Sequence, residues 1–447
     1  MKKERKFPEV MAGIFSDEVI SFTLHGLFMP ESDNLRLSGN CKVFYDGGSI
    51  VLQAGDREIE FTGQLMLVPV DPSCSFTLHG VTIGLEFHWQ RKEDQSFRGC
   101  LRFKAGNEKI TVINQIPVEE YLKSVISSEM RANASEELLK AHAVISRGWL
   151  LAQIEKRRNI AVDTEKYRTD FTSDTEIIRW YDREDHKEFD VCADDHCQRY
   201  QGITKVATPA VIKAVEETSG EVMTYEGSIC DTRYYKCCGG LTELFENVWE
   251  PVSHPYLQRI VDNPVPPEAY DLDFTKDENI RKWISSKPEA FCNTTDKKVL
   301  NQVLNDYDLE TTDFYRWTVT YSRDELSELI RTKTGIDFGI INELIPLERG
   351  TSGRIIRLKI EGTLKTMIIG KELEIRKSLS KTHLYSSCFI PEKIVRDGEV
   401  FFILHGAGWG HGVGLCQIGA AVMGAKGYKY DEILMHYFKG ARLERKY

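Results

Sequence analysis

A glutamate stands where an amphipathic helix should be apolar. In VEEYLKSVISSEM, residues 118 to 130, Val118, Leu122, Val125 and Ile126 recur at helical spacing and form one stripe. Glu129 follows Ile126, Val125 and Leu122 by three, four and seven residues, near the middle of that stripe. Glu119, Lys123 and Ser127 fall on the other, solvated side. A carboxylate among aliphatic side chains has its charged form disfavoured and its pKa raised, which keeps a proton to donate near neutral pH. The plainer reading is a helix-end glutamate paired with Arg131 or Arg147.

Two further stretches carry chemistry. DHKEFDVCADDHCQRYQG (185–202) places His186, Cys192, His196 and Cys197 within twelve residues. Thiolate and imidazole at such spacing suit a tetrahedral zinc ion, with Asp194 and Asp195 as outer partners; a disulfide or two buried thiols are the alternatives. GAGWGHGVG (406–414) lacks the Lys-Ser/Thr ending and the βαβ setting of a phosphate loop. Its glycines let the backbone approach a ligand closely, and Trp409 offers a stacking face of the kind sugars use. His411 with Cys416 raises the idea of a thiol hydrolase, without a third residue to orient the pair. Lys140 and Arg147 are either an anion-binding pair or a solvated face.

The elements that must hold these residues can be read around them. Residues 10 to 113 alternate in the manner of short strands, with SFTLHG occurring at 21–26 and again at 75–80. Pro117 suits the start of the first helix, and Ser135 is a good N-cap for a second, EELLKAHAVISRGWLLAQIEKRR. Residues 160 to 215 read as polar and irregular, and VDNPVPPEAYD (261–271) as a linker. The chain is therefore expected to be α+β: a mixed catalytic core with a helix pair and an active-site groove, plus an N-terminal β-rich domain. The expected division is 1–113 for the β-rich domain, 114–265 for the first part of the core, 266–395 for an α+β insert, and 396–447 for the Gly-rich loop and helices completing the core.

The 447 residues carry a net charge of −10 without a basic block, which argues against nucleic acid as a partner. No apolar run reaches the length of a membrane span, and the first residues lack the apolar core of a signal peptide. Eleven scattered cysteines, an odd number, do not suggest a disulfide framework, and most are expected to be reduced and buried.

VEEYLKSVISSEM and EELLKAHAVISR, then YYKCCGGLTELFENVWEPVSHPYLQRIVD, GTSGRIIRLKI, LEIRKSLSKTHLYSSCF and GWGHGVGLCQIGAAVMGAKGYKYDEILMHYF together resemble the SpoIID/LytB family of stage II sporulation and amidase-enhancer proteins. The resemblance covers about residues 110 to 447, in the family's motif order. It implies a lytic transglycosylase that cleaves peptidoglycan glycan strands, often ones already stripped of peptide, to 1,6-anhydroMurNAc ends, with Glu129 as catalytic acid and base. It also implies a zinc site at His186, Cys192, His196 and Cys197, no organic cofactor, and a location in the cell envelope. Arg147, Lys140, Trp409, His411 and Gln417 are then expected to bind the glycan. The alternative implied by the same family is a non-catalytic wall-binding protein that stimulates a cell-wall amidase. Here His142, Ser146 and Gly148 stand where relatives often have Gln, Ala and Thr, and Cys237-Cys238 stands where serines are common.

Overall fold

The computed structural model describes residues 7–83, 91–131, 133–160, 168–181, 186–194, 196–205, 207–304 and 313–447. Asp195 and the end of the VTIGLEFHW run lie outside these residues.

Ten strands open the chain: β1 (Glu9–Asp17), β2 (Val19–Pro30), β3 (Leu37–Asp46), β4 (Ser49–Ala54), β5 (Arg57–Thr62), β6 (Gln64–Pro69), β7 (Ser75–Ile83), β8 (Arg91–Arg98), β9 (Cys100–Gly106) and β10 (Lys109–Pro117). They form one antiparallel sheet in the order β1-β10-β9-β6-β2-β3-β4-β5, with β7 bridging β2 and β8. The repeated SFTLHG has a structural meaning here. One copy lies in β2 and the other in β7, and they pair with each other, Phe22 opposite Leu78 and Leu24 opposite Phe76. All four side chains are buried, because strand alternation sends them to one face.

Nine helices follow among the described residues: α1 (Val118–Glu129), α2 (Glu136–Ile160), α3 (Pro209–Glu217), α4 (Asp277–Ser286), α5 (Lys297–Leu300), α6 (Arg323–Thr334), α7 (Glu372–Ser378), α8 (Gln417–Ala425) and α9 (Tyr430–Tyr437). The fold is α+β, with the β-rich part at the N-terminus. The helix α3 falls within the stretch read from sequence as irregular; Thr208 caps it by accepting from Val211 N, and proline occupies its first turn. VDNPVPPEAYD is a loop tied at both ends rather than a free linker. Asp262 is fully buried, Tyr270 is nearly so, and Val265 between them is exposed.

The β-rich part shares a core with the helix pair. The apolar stripe of α1 is completely buried. Tyr121 of that helix stacks on Tyr200 with ring centroids 4.6 Å apart. Tyr200 in turn packs on Phe97 of β8 and donates its hydroxyl to Asn114 Oδ1 in β10 at 2.6 Å. A second core lies under the sheet of strands Ile341–Arg349, Ile355–Gly362 and Thr366–Gly370. The strands Phe389–Arg396 and Glu399–Ala407 form one hairpin, so a boundary drawn at 395/396 cuts through paired backbone.

Glu119 is the main surprise of this region. The 3.6-residue period puts it on the polar side of α1, yet it is buried. Arg147 of α2, with no exposed surface, donates Nε to Glu119 Oε1 at 2.9 Å and Nη2 to Oε2 at 2.7 Å. The same carboxylate accepts from Gly220 N and from the Tyr447 hydroxyl. Arg147 Nη1 donates to the Glu221 carbonyl at 3.0 Å. Both faces of α1 are therefore covered, one by apolar packing and one by this ion pair. Removing one partner strands a buried charge, so Arg147→Ala should lose about 3–5 kcal/mol of unfolding free energy in urea titration. The double variant Glu119→Met with Arg147→Met should recover most of that loss. A change below about 1 kcal/mol in the single variant would show the pair to be dispensable.

Candidate functional site

Glu129 is the last residue of α1, and the chain turns extended at Met130. It is half-buried rather than enclosed by the aliphatic stripe. Just beyond it, Arg131 N donates to the Gln302 carbonyl at 3.1 Å, and Arg131 Nε donates to the Leu304 carbonyl. Lys236 Nζ reaches the carbonyl of Val303 between them, and the Lys236 carbonyl accepts from Ile418 N. These contacts join the end of α1 to the Cys237–Gly240 turn and to the start of α8.

The glycine-rich loop leads into α8. Gly408, Gly410, Gly412 and Gly414 all have positive φ. A side chain on Gly408 would meet the Cys237 carbonyl at 2.8 Å, and one on Gly414 the Arg233 carbonyl at 2.1 Å; the loop is pressed against backbone and only glycine fits. Trp409 pairs through its backbone with Cys237, N to O at 2.7 Å and O from N at 2.9 Å. Its partly exposed ring stacks on Phe314 with centroids 5.1 Å apart and meets Tyr385 edge-on.

The other residues expected to bind glycan have different occupations. Arg147 is spent on Glu119. Lys140 is held by Glu136 at 2.7 Å and Glu217 at 2.6 Å; partial burial works against its charge, and these two carboxylates outweigh it and raise its pKa. His411 Nδ1 accepts from Val413 N, which leaves Nε2 to donate to the Tyr234 carbonyl. Burial first, then the nearby Arg233 and Arg376, push His411 far below its usual range, so it is neutral with both ring nitrogens engaged. That arrangement leaves no base for Cys416 and removes the thiol-hydrolase idea. Gln417 is buried and donates Nε2 to His142 Nε2 at 3.0 Å, while His142 Nδ1 lies 3.2 Å from Ser146 Oγ. Of the five, Trp409 alone presents a partly exposed side chain that is not held by a hydrogen bond or ion pair. The other four fix the frame around it.

His186, Cys192, His196 and Cys197 do come together, with donor atoms all within 4.8 Å of one another. Cys197 Sγ is 3.4 Å from both His186 Nε2 and His196 Nδ1, and Cys192 Sγ is 3.8 Å from His196 Nδ1. A tetrahedral zinc ion with its usual bond lengths separates its donors by about 3.3–3.8 Å, so these four fit the group. Both cysteines are free, which removes the disulfide alternative. Cys197 beside it, then the two histidines, hold the Cys192 thiol down at about 2 against burial. Asp190 fastens this loop by accepting from Met11 N of β1 and from Arg157 of α2, each at 2.9 Å. The strand Val191–Cys192 then extends the N-terminal sheet beside β1.

Sequence reasoning missed Glu119 and a second buried group of donors, Cys238, Asp262, Cys292 and Cys416. Adjacent Cys237 and Cys238 were visible as unusual. Asp262 and Cys292 gave no signal, because their relation to Cys238 is purely spatial.

Residues 106–225 match the family model described as Stage II sporulation protein (SpoIID), and residues 243–414 match a domain of unknown function, DUF8618. The chain is 26% identical to an uncharacterised protein of Brachyspira hyodysenteriae over 77% of its own length and 71% of that protein. It is 23% identical to Stage II sporulation protein D of Bacillus subtilis, covering 74% of the chain and 75% of the relative. It is 24% identical to the Amidase enhancer of the same organism, over 72% of the chain but 40% of that longer protein. The stretch that matches the SpoIID model contains α1, α2, Glu129 and the His/Cys cluster. No helix among the described residues is long and apolar enough to cross a membrane.

His142 supplies a test of the frame. Burial, helped by Lys236, pulls it from 6.5 down to about 3. The unfolded chain therefore takes up a proton first as pH falls below 6.5, while the folded chain does not, so stability drops through that window. Between pH 6.5 and 4.5 the contribution is roughly 2–3 kcal/mol. His142→Gln should shrink the loss of unfolding free energy between pH 6.5 and 4.5 by that amount; an unchanged loss would place the proton uptake elsewhere.

Proposed function

We propose that the chain is a cell-wall protein of the envelope, and specifically a lytic transglycosylase acting on peptidoglycan glycan strands, with Glu129 as its general acid and base. The observation that carries this reading is Glu129 itself, a half-buried carboxylate at the end of α1 within the stretch that matches the SpoIID model. The Glu129 carboxylic acid protonates the glycosidic oxygen between N-acetylmuramic acid and N-acetylglucosamine, and the bond from C1 to that oxygen breaks. The resulting carboxylate then takes the proton of the muramyl 6-hydroxyl, whose oxygen bonds to C1. No water is consumed, so one carboxyl group serves both steps and the second carboxylate of ordinary glycoside hydrolysis is not required. Trp409 gives the sugar rings an aromatic face.

Zinc is the ion we assign to His186, Cys192, His196 and Cys197. It would contribute structure, tying the loop after α2 to the edge of the N-terminal sheet and leaving the proton transfers to Glu129. A second reading is favoured by one observation, the relative named Amidase enhancer: a protein that binds the wall and stimulates a partner amidase without cleaving glycan.

Mass spectrometry of peptide-free glycan strands separates these readings. Wild type should release products one water lighter than hydrolytic ones. Glu129→Gln should lower their rate by about 10²–10⁴-fold with an unchanged or raised Tm. Hydrolytic products would call for a second carboxylate. Glycan binding without any cleavage by wild type would leave the enhancer reading in place. Separately, His186→Ala with Cys197→Ser should remove about one equivalent of zinc from the purified protein.

A further inference from the structure

We propose that Cys238, Asp262, Cys292 and Cys416 form a second metal site that takes one thiophilic divalent ion of the zinc type. The four residues come from four separate parts of the chain: the turn before Gly239-Gly240, the start of the proline-rich loop, the loop after α4, and the N-cap of α8. All four are buried, and their donor atoms lie within 4.8 Å of one another. Cys238 Sγ is 3.3 Å from Cys292 Sγ and 3.3 Å from Asp262 Oδ2. These separations are close enough for one ion to reach all four donors, with the two sulfurs opening by about 0.4 Å to reach tetrahedral spacing.

The surroundings favour charged sulfur at Cys416. Three backbone amides point at sulfur: Cys238 N to Cys416 Sγ at 3.2 Å, Gly240 N to Cys238 Sγ at 3.3 Å, and Gly419 N to Cys416 Sγ at 3.4 Å. Cys416 also sits at the N-terminus of α8, where the free amides and the helix dipole favour a thiolate. Asp262 is oriented for the same task. Its Oδ1 accepts from the Tyr437 hydroxyl at 2.7 Å, and Oδ2, held by Cys292 N at 3.0 Å, faces the thiols. His436 Nε2, buried and with no hydrogen-bond partner, lies 3.6 Å from Asp262 Oδ1. A buried carboxylate beside a thiolate is costly without a balancing positive charge. A divalent ion supplies that charge, and the thiols that ligate it release their protons to solvent.

The consequence is mechanical. The ion would clamp the Cys237–Gly240 turn, whose Cys237 pairs with the Trp409 backbone, to the start of α8, and would tie the Cys292 loop to both. This site is independent of the catalytic reading of Glu129 and of the His186 cluster.

The test uses full-length protein carrying His186→Ala and Cys197→Ser, stripped with a chelator and titrated anaerobically with cobalt(II). It should bind about one equivalent, with thiolate-to-cobalt charge-transfer absorption in the near ultraviolet and a raised Tm. Adding Cys292→Ala should abolish that absorption. Uptake below about 0.2 equivalents in the first variant would overturn the proposal whether or not the Cys292 variant folds. So would unchanged absorption in a folded Cys292→Ala protein, or an intact mass showing a Cys238–Cys292 disulfide in the freshly purified chain.

Discussion

The buried pair of Glu119 and Arg147 is the constraint on which the region matching the SpoIID model turns. It fixes α1 against α2 from the side opposite the apolar stripe, and it reaches further through Gly220, the Glu221 carbonyl and Tyr447. A helix held on two faces cannot roll. The position of Glu129, nearly three turns further along α1, follows from that. An ion pair in such a setting adds little net stability over a well-packed apolar pair, but it is unforgiving of the loss of either partner. Its value is in orientation, because the bidentate fork allows one relative placement of the two helices.

The glycine-rich loop depends on the same frame from the other end. Four glycines with positive φ let it lie against the Arg233–Gly240 segment. Two neutral histidines, His411 and His142, then spend their ring nitrogens on the Tyr234 carbonyl, Val413 N, Gln417 and Ser146. Residues that looked like ligand-binding groups are thus the scaffold, and the partly exposed ring of Trp409 is what the scaffold presents. A neutral imidazole with both nitrogens engaged is a good spacer in a dry interior and a poor base.

Metal-type donor sets occur at both margins of this frame. One lies where the loop after α2 meets β1, and the other links the Cys237–Gly240 turn and the start of α8 to the loops at Asp262 and Cys292. The first gathers its donors from within twelve residues, and the second joins segments far apart in the chain. Such cross-links suit a protein whose connecting segments carry few regular elements of their own.

Much of this was legible from residue order. The apolar period of α1 and α2, the cap at Ser135, the alternation of the N-terminal strands and the His186–Cys197 spacing are local properties, and local rules of period, capping and ligand spacing find them. What the sequence could not decide is which side of each helix would be covered a second time. Glu119 and Arg147 look like solvated charges because their burial arises from a strand and a C-terminus about one hundred and three hundred residues away. Asp262 and Cys292 are likewise ordinary residues until the chain brings them to Cys238 and Cys416. Local pattern determines the element and the stripe that faces a core. Tertiary packing alone decides which polar groups are taken out of water, since desolvation depends on what arrives from elsewhere in the chain.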